Sequence, residues 1–104
     1  MYIAMNRFKV KEGSEEAFEN VWKNRESSLE ENPGFVSFNL LRGAHHEDEG
    51  YTLFASHTNW ETEADFIAWT KSQSFRDAHK NAGQNKVYYI GHPNFEGFTR
   101  VEGA

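Results

Sequence analysis

Three features of the 104-residue sequence predict an α+β, ferredoxin-like fold of order β-α-β-β-α-β. Tyr2 to Val10 alternates apolar and polar residues with the two-residue period of a pleated strand. Two segments, opening at Ser14 and Thr62, space their apolar residues at helical intervals. Three further stretches rich in β-branched and aromatic residues are separated by turn formers. Together they give an antiparallel sheet with two helices packed on one face.

In the first strand Tyr2, Ala4, Asn6, Phe8 and Val10 share one face, and Ile3, Met5, Arg7 and Lys9 share the other. Lys11-Glu12-Gly13 turns the chain. Ser14 then stands as an N-cap, with Glu15 and Glu16 favouring the positive end of the helix it opens. Phe18, Val21, Trp22 and Leu29 predict that this helix runs to about Glu31, where Asn32-Pro33-Gly34 stops it. Phe35 to Arg42 is the second strand and Tyr51 to Trp60 the third. The polar, acidic stretch from Gly43 to Gly50 has the composition of a hairpin loop. Thr62 with Asp65 forms a capping-box pattern opening a second helix through Phe66 and Trp69. Ser72 and Ser74 interrupt that helix, and Ser74 with Asp77 is placed to cap a new short one. Lys86 to Phe98 is the last strand, with Pro93 near an edge or bulge.

No linker, repeat or low-complexity stretch divides residues 1–104, and the length is that of one domain. Aromatic residues make up 15% of the chain, so the core is built from a few large rings, each burying about 150–250 Å². The absence of cysteine excludes disulfides, thiolate-ligated haem, iron–sulfur clusters and Cys-based zinc sites. A net charge of −5 argues against a nucleic-acid or anionic-membrane surface. One basic patch breaks the acidic balance: Lys71, Arg76, Lys80 and Lys86 oppose only Asp77. No apolar run approaches the roughly 20 residues of a membrane span, and Met1 opens directly into a strand pattern instead of a signal peptide. A soluble, cytoplasmic protein is expected. Helices cover one sheet face only, while Ile3, Met5 and the last strand offer apolar side chains on the other. A homodimer burying sheet against sheet is therefore expected.

Asn6 lies by parity on the helix-covered face. A buried amide there is either paired within the core or aimed as a donor into a pocket, because leaving it unpaired costs about 1–3 kcal/mol. A helix break at Ser72–Ser74 lets Phe75 and His79, at i and i+4, share one face of the new helix. Trp69 is then directed into the same cavity from the preceding helix. His79 reads either as a structural histidine bonded to a backbone carbonyl or as a ligand. Its neighbours are Phe75, Ala78, Arg76 and Lys80. Apolar walls with cations at the rim suit a flat anionic molecule such as a porphyrin with propionates, and neutral imidazole is the standard protein donor to haem iron. His45 and His46 beside Glu47, Asp48 and Glu49 read as a solvated loop ahead of a metal site. His57 is ambiguous in face, His92 reads as a turn residue, and Trp22 and Trp60 as core. No Ser-His-Asp order, phosphate loop or paired-carboxylate spacing stands out.

Asn6-Arg7-Phe8, Asn32-Pro33-Gly34-Phe35, Trp60 and the run Phe66…Trp69-Thr70-Lys71-Ser72…Phe75…Ala78-His79-Lys80 resemble the IsdG-like haem-degrading monooxygenases. These belong to the antibiotic-biosynthesis-monooxygenase (dimeric α/β barrel) superfamily, and the resemblance covers nearly the whole chain. It implies that His79 is the proximal ligand to iron and that Asn6 is the distal amide hydrogen-bonding iron-bound ligands. It implies that Trp69 presses the porphyrin out of plane, with Phe66, Phe75 and Arg76 completing the haem-binding set. Haem is then both cofactor and substrate: O₂ activated on the iron attacks a meso carbon, the ring opens and iron is released. Electrons come from an external reductant or reductase. Two other readings stay open. One is a haem carrier or sensor without turnover; the other is a cofactor-free quinol monooxygenase on the same barrel.

Overall fold

The computed structural model describes residues 1–25, 27–80 and 82–104. Its strands are β1 (Tyr2–Lys11), β2 (Phe35–His46), β3 (Tyr51–Trp60) and β4 (Tyr89–Thr99). Its helices are α1 (Glu15–Lys23), α2 (Glu63–Thr70) and α3 (Gln73–His79), with 3₁₀ turns at Leu29–Glu31, Glu47–Glu49 and Ala82–Tyr88. The strands pair antiparallel in the order β2-β3-β1-β4, so the expected ferredoxin-like sheet forms, with β2 and β4 at its edges.

Parity along β1 is as the sequence predicts. Tyr2, Ala4, Phe8 and Val10 are buried beneath the helices, with Asn6 half-buried among them. Two aromatic clusters result. One joins Tyr2, Ala4, Leu29, Trp60 and Trp69; the other joins Phe8, Val10, Phe18, Phe54 and Tyr89. The fully buried Trp60 satisfies its indole by donating to the Thr58 hydroxyl at 3.0 Å, and that hydroxyl donates to the Ala4 carbonyl at 3.3 Å.

Four boundaries differ from expectation, each for a local reason. First, α1 ends at Lys23 instead of about Glu31. Asn24 closes it with both backbone N–H and Nδ2 on the Asn20 carbonyl, the side-chain competition that disfavours a continuing helix. The apolar signal of Leu29 is met by a 3₁₀ turn that buries it. The hydroxyl of Ser14 makes no cap; the Glu15 carboxylate instead accepts from Gly13 N–H at 2.8 Å.

Second, the stretch from Gly43 to Gly50 is no loose loop. β2 continues to His46, His45 pairs with Thr52, and His46 stacks on Tyr51 at 4.6 Å. Thr52 donates its hydroxyl to Glu15 and therefore accepts from His45 Nδ1 at 2.9 Å. That shared bond extends the hairpin and leaves only Glu47–Glu49 and Gly50 to turn it.

Third, the cap of α3 is Ser72, which accepts from Phe75 N–H at 3.1 Å, and not Ser74. The cap of α2 is as predicted, Thr62 accepting from Asp65 N–H at 3.1 Å. Fourth, β4 begins at Tyr89 instead of Lys86, because Ala82–Tyr88 is wound into a 3₁₀ turn. Pro93 does sit at a bulge on an edge strand. Arg7 pairs with Asn94 while Lys9 pairs with Ile90, so Gly91-His92-Pro93 bulges out, and Gly91 takes the left-handed φ of 68° that a side chain would resist.

Candidate functional site

The helix-covered side of the sheet bears an open cavity of about 1190 Å³, beyond the usual 300–1,000 Å³ of small-ligand pockets. β1 contributes Asn6, α2 contributes Phe66 and Trp69, α3 contributes Phe75 and His79, and β4 contributes Phe95. Five of the residues singled out from sequence thus come together: Asn6, Phe66, Trp69, Phe75 and His79. Arg76 does not join them. It is exposed, and its guanidinium is engaged on its own segment, with Gln73 Oε1 at 2.9 Å and the Lys71 carbonyl at 3.3 Å. Of the two predicted rim cations, Lys80 lines the cavity.

His79 donates from Nδ1 to the Phe75 carbonyl, one turn back, at 2.8 Å. A carbonyl only accepts, so the proton of the neutral ring is on Nδ1 and the lone pair is on Nε2. The imidazole also stacks on the Phe75 ring, with centroids 4.2 Å apart and planes 30° apart. The structural reading of His79 thus holds at Nδ1. One nitrogen is structurally bonded, and the other keeps its lone pair.

Trp69 is held from several sides. Its ring centroid lies 4.9 Å from Phe75, 5.5 Å from Trp60 and 6.1 Å from Phe66. Phe66 is fixed in turn by flat stacking on Phe95 at 5.6 Å. Trp69 Nε1 is the only buried side-chain polar atom without a hydrogen-bond partner among the described residues. Asn6 lies opposite Ser56 on one neighbour and Phe95 on the other.

Sequence reasoning missed Arg25. Its guanidinium lies 4.6 Å from the centroid of the Trp22 ring and 6.0 Å from that of Phe38, two rings stacked on each other at 5.7 Å. It lines the cavity, and burial pulls its ionisation below the ordinary arginine value. Arg25 lies past the end of α1 at Lys23, so no helical spacing in the sequence points to it. His45, His46 and His92 lie in the hairpin and the β4 bulge, and His57 stands on β3 opposite Met5 and Asn39. Among the described residues no group of three or more His, Cys, Asp or Glu is arranged to hold a metal ion, and no helix is long and apolar enough to cross a membrane.

Residues 1–81 match the family model described as antibiotic biosynthesis monooxygenase. A haem oxygenase (staphylobilin-producing) of Staphylococcus haemolyticus is 35% identical over 82 residues, covering 78% of this chain and 75% of that protein. A haem-degrading monooxygenase of Shouchella clausii is 36% identical over 63 residues, a match spanning 61% of this chain and 57% of that relative's length. Among solved structures, the haem degrader MhuD of Mycobacterium tuberculosis, with two haems bound in its active site, superimposes with a TM-score of 0.72 at 24% identity, covering 100% of this chain and 99% of that one. SnoaB of Streptomyces nogalater, a cofactor-independent oxygenase, superimposes with a TM-score of 0.67 at 21% identity, covering 97% and 93%. The fold alone serves both chemistries, so the choice between them falls on the side chains in the cavity.

Proposed function

The chain belongs to the antibiotic biosynthesis monooxygenase family, and on that premise we propose that it is a cytoplasmic haem-degrading monooxygenase, with residues 1–104 forming one such domain. The observation that carries this reading is the tautomer imposed on His79. A metal-binding histidine ordinarily gives its other ring N–H to a carbonyl or carboxylate, which fixes the ring and strengthens the donor nitrogen. His79 gives its Nδ1–H to the Phe75 carbonyl, which leaves the lone pair on Nε2, and the residue lines the cavity together with Phe66, Trp69 and Phe95.

The remaining residues fit haem as well. Trp69 Nε1 is a buried donor awaiting an acceptor, a cost of about 1–3 kcal/mol that a bound polar group would relieve. Arg25 and Lys80 line the cavity as cations and suit propionates. Haem would be both substrate and cofactor, supplying an iron centre for oxygen chemistry and the ring to be opened, with electrons drawn from an external reductant. His79 would hold the iron through Nε2. Trp69, braced by Trp60, Phe66 and Phe75, supplies the rigid bulk needed to distort a macrocycle. The Asn6 amide, which lines the same cavity, would supply one N–H, worth about 1 kcal/mol, to a polar group bound there. Two copies are taken to pair through the sheet faces that the helices leave bare.

An absorption spectrum of the purified protein with hemin, before and after ascorbate in air, tests this reading. The expected result is a shifted Soret band that disappears once reductant is added. A shifted band that persists would leave a carrier or sensor. A trace identical to free hemin would favour cofactor-free oxygenation, which His79→Ala would then leave active on a polyphenol.

A further inference from the structure

Ser74 stands in the first turn of α3, yet the task expected of it there is done by Ser72, whose hydroxyl caps the helix. The Ser74 hydroxyl reaches instead across the fold. It pairs with the Ser28 hydroxyl at 2.8 Å and accepts from Asn32 Nδ2 at 3.1 Å, residues 46 and 42 positions away. Asn32 Nδ2 also donates to the carbonyls of Ser28 at 3.0 Å and Leu29 at 3.1 Å. Three polar side chains thus latch the turn that follows α1 to the start of α3.

That start governs His79. Helices shorter than about 12–15 residues do not hold themselves in water, and α3 has seven residues, so its position is set by what ties it down. Phe75 follows Ser74 directly, and its carbonyl and ring are what hold the His79 imidazole. Ser28 and Leu29 line the cavity from one side of the latch, and Ser74 and His79 from the other. A shift of Ser74 therefore moves the imidazole relative to the opposite wall.

We propose that Ser74, with Asn32 and Ser28, is a positioning residue that sets His79 Nε2 for iron capture; this rests on the haem reading above. Hemin titrations of wild type, Ser74→Ala and Ser74→Thr, repeated in a His79→Ala background, test it. Ser74→Ala is expected to weaken hemin binding about tenfold and reduce the nitrogen-ligand signature of ferric haem. Ser74→Thr restores both. In the His79→Ala background, Ser74→Ala is expected to add no further weakening, because no imidazole remains to be placed. Equal weakening with and without His79 would mean a purely structural cluster and would overturn the proposal, as would wild-type affinity and spectrum in Ser74→Ala. If Ser74→Ala does not fold, Ser28→Ala, which removes the partner hydroxyl from outside α3, is read by the same standard. Failure of the wild type to bind hemin would sink the haem reading and this proposal together. Wild-type binding with indifferent variants sinks this proposal alone.

Discussion

Removing the His79 imidazole leaves the cavity its apolar walls but takes away its nitrogen donor. His79→Ala is therefore expected to hold hemin loosely and to lose the axial-nitrogen signature in electron paramagnetic resonance of the ferric form. An unchanged resonance would show that another residue ligates the iron. For Trp69 the expected effect falls on turnover and not on binding. With Trp69→Ala, hemin is expected to stay bound while its degradation slows, followed as single-turnover decay of the Soret band, and normal decay would refute the distorting role. Because Trp69 is 8% exposed and touches three rings, truncation also costs about 3–5 kcal/mol of packing. Trp69→Phe keeps much of that packing and is the companion variant. Asn6→Ala removes a single amide donor, so a roughly fivefold slower single-turnover rate is expected, about 1 kcal/mol of barrier.

The elements carry their own tests. A methyl group on Gly97 would overlap the Tyr2 phenol, which lies across that point of β4. Gly97→Ala is expected to destabilise the protein by about 1–3 kcal/mol in denaturant melts, and Tyr2→Phe should relieve part of the loss. At the start of α1 the Glu15 carboxyl is held below the usual carboxylate range, chiefly by its own backbone N–H and then by the Thr52 hydroxyl. Because its folded value is the lower one, these bonds add stability above the unfolded carboxylate range, and that stability is lost as pH falls through the lowered value. Thr52→Val should shrink the difference in stability between neutral and acid conditions, measured by melts across that range. What could be read from the sequence follows the same division by element. Strand parity placed Asn6 inward because a two-residue period admits no slip. The break between α2 and α3 showed in Ser72 and Ser74, and with it the i, i+4 pairing of Phe75 and His79. Which serine caps α3 did not show, because Ser74 is claimed by Ser28 and Asn32 from far along the chain. Arg25 was hidden for a like reason: its place on the wall depends on the stack of Trp22 with Phe38, made by tertiary contact.

At the scale of the whole molecule, the face of the sheet away from the helices carries exposed apolar side chains. The register puts Ile3 beside Phe98, Met5 beside His57 and Lys9 beside Leu53, all on the side away from the helices. Phe98 is 45% exposed and Ile90 44%, and Leu41 adds a third large apolar side chain. The ion pair of Arg7 with Glu96 at 2.9 Å stands on this same face, a polar feature among apolar ones. A second copy presents the same set, so a two-fold arrangement would bury the apolar side chains of both against each other. Sedimentation equilibrium is expected to give twice the monomer mass, with a thermal midpoint that rises with protein concentration. Phe98→Glu places a carboxylate on that face, where burial against a second copy would desolvate it, and is expected to shift the protein to monomer. Phe98 lies on the outer face, opposite the cavity side, so hemin binding by that monomer would separate assembly from ligation. A wild type that sediments as a monomer with a concentration-independent midpoint would exclude the paired sheet.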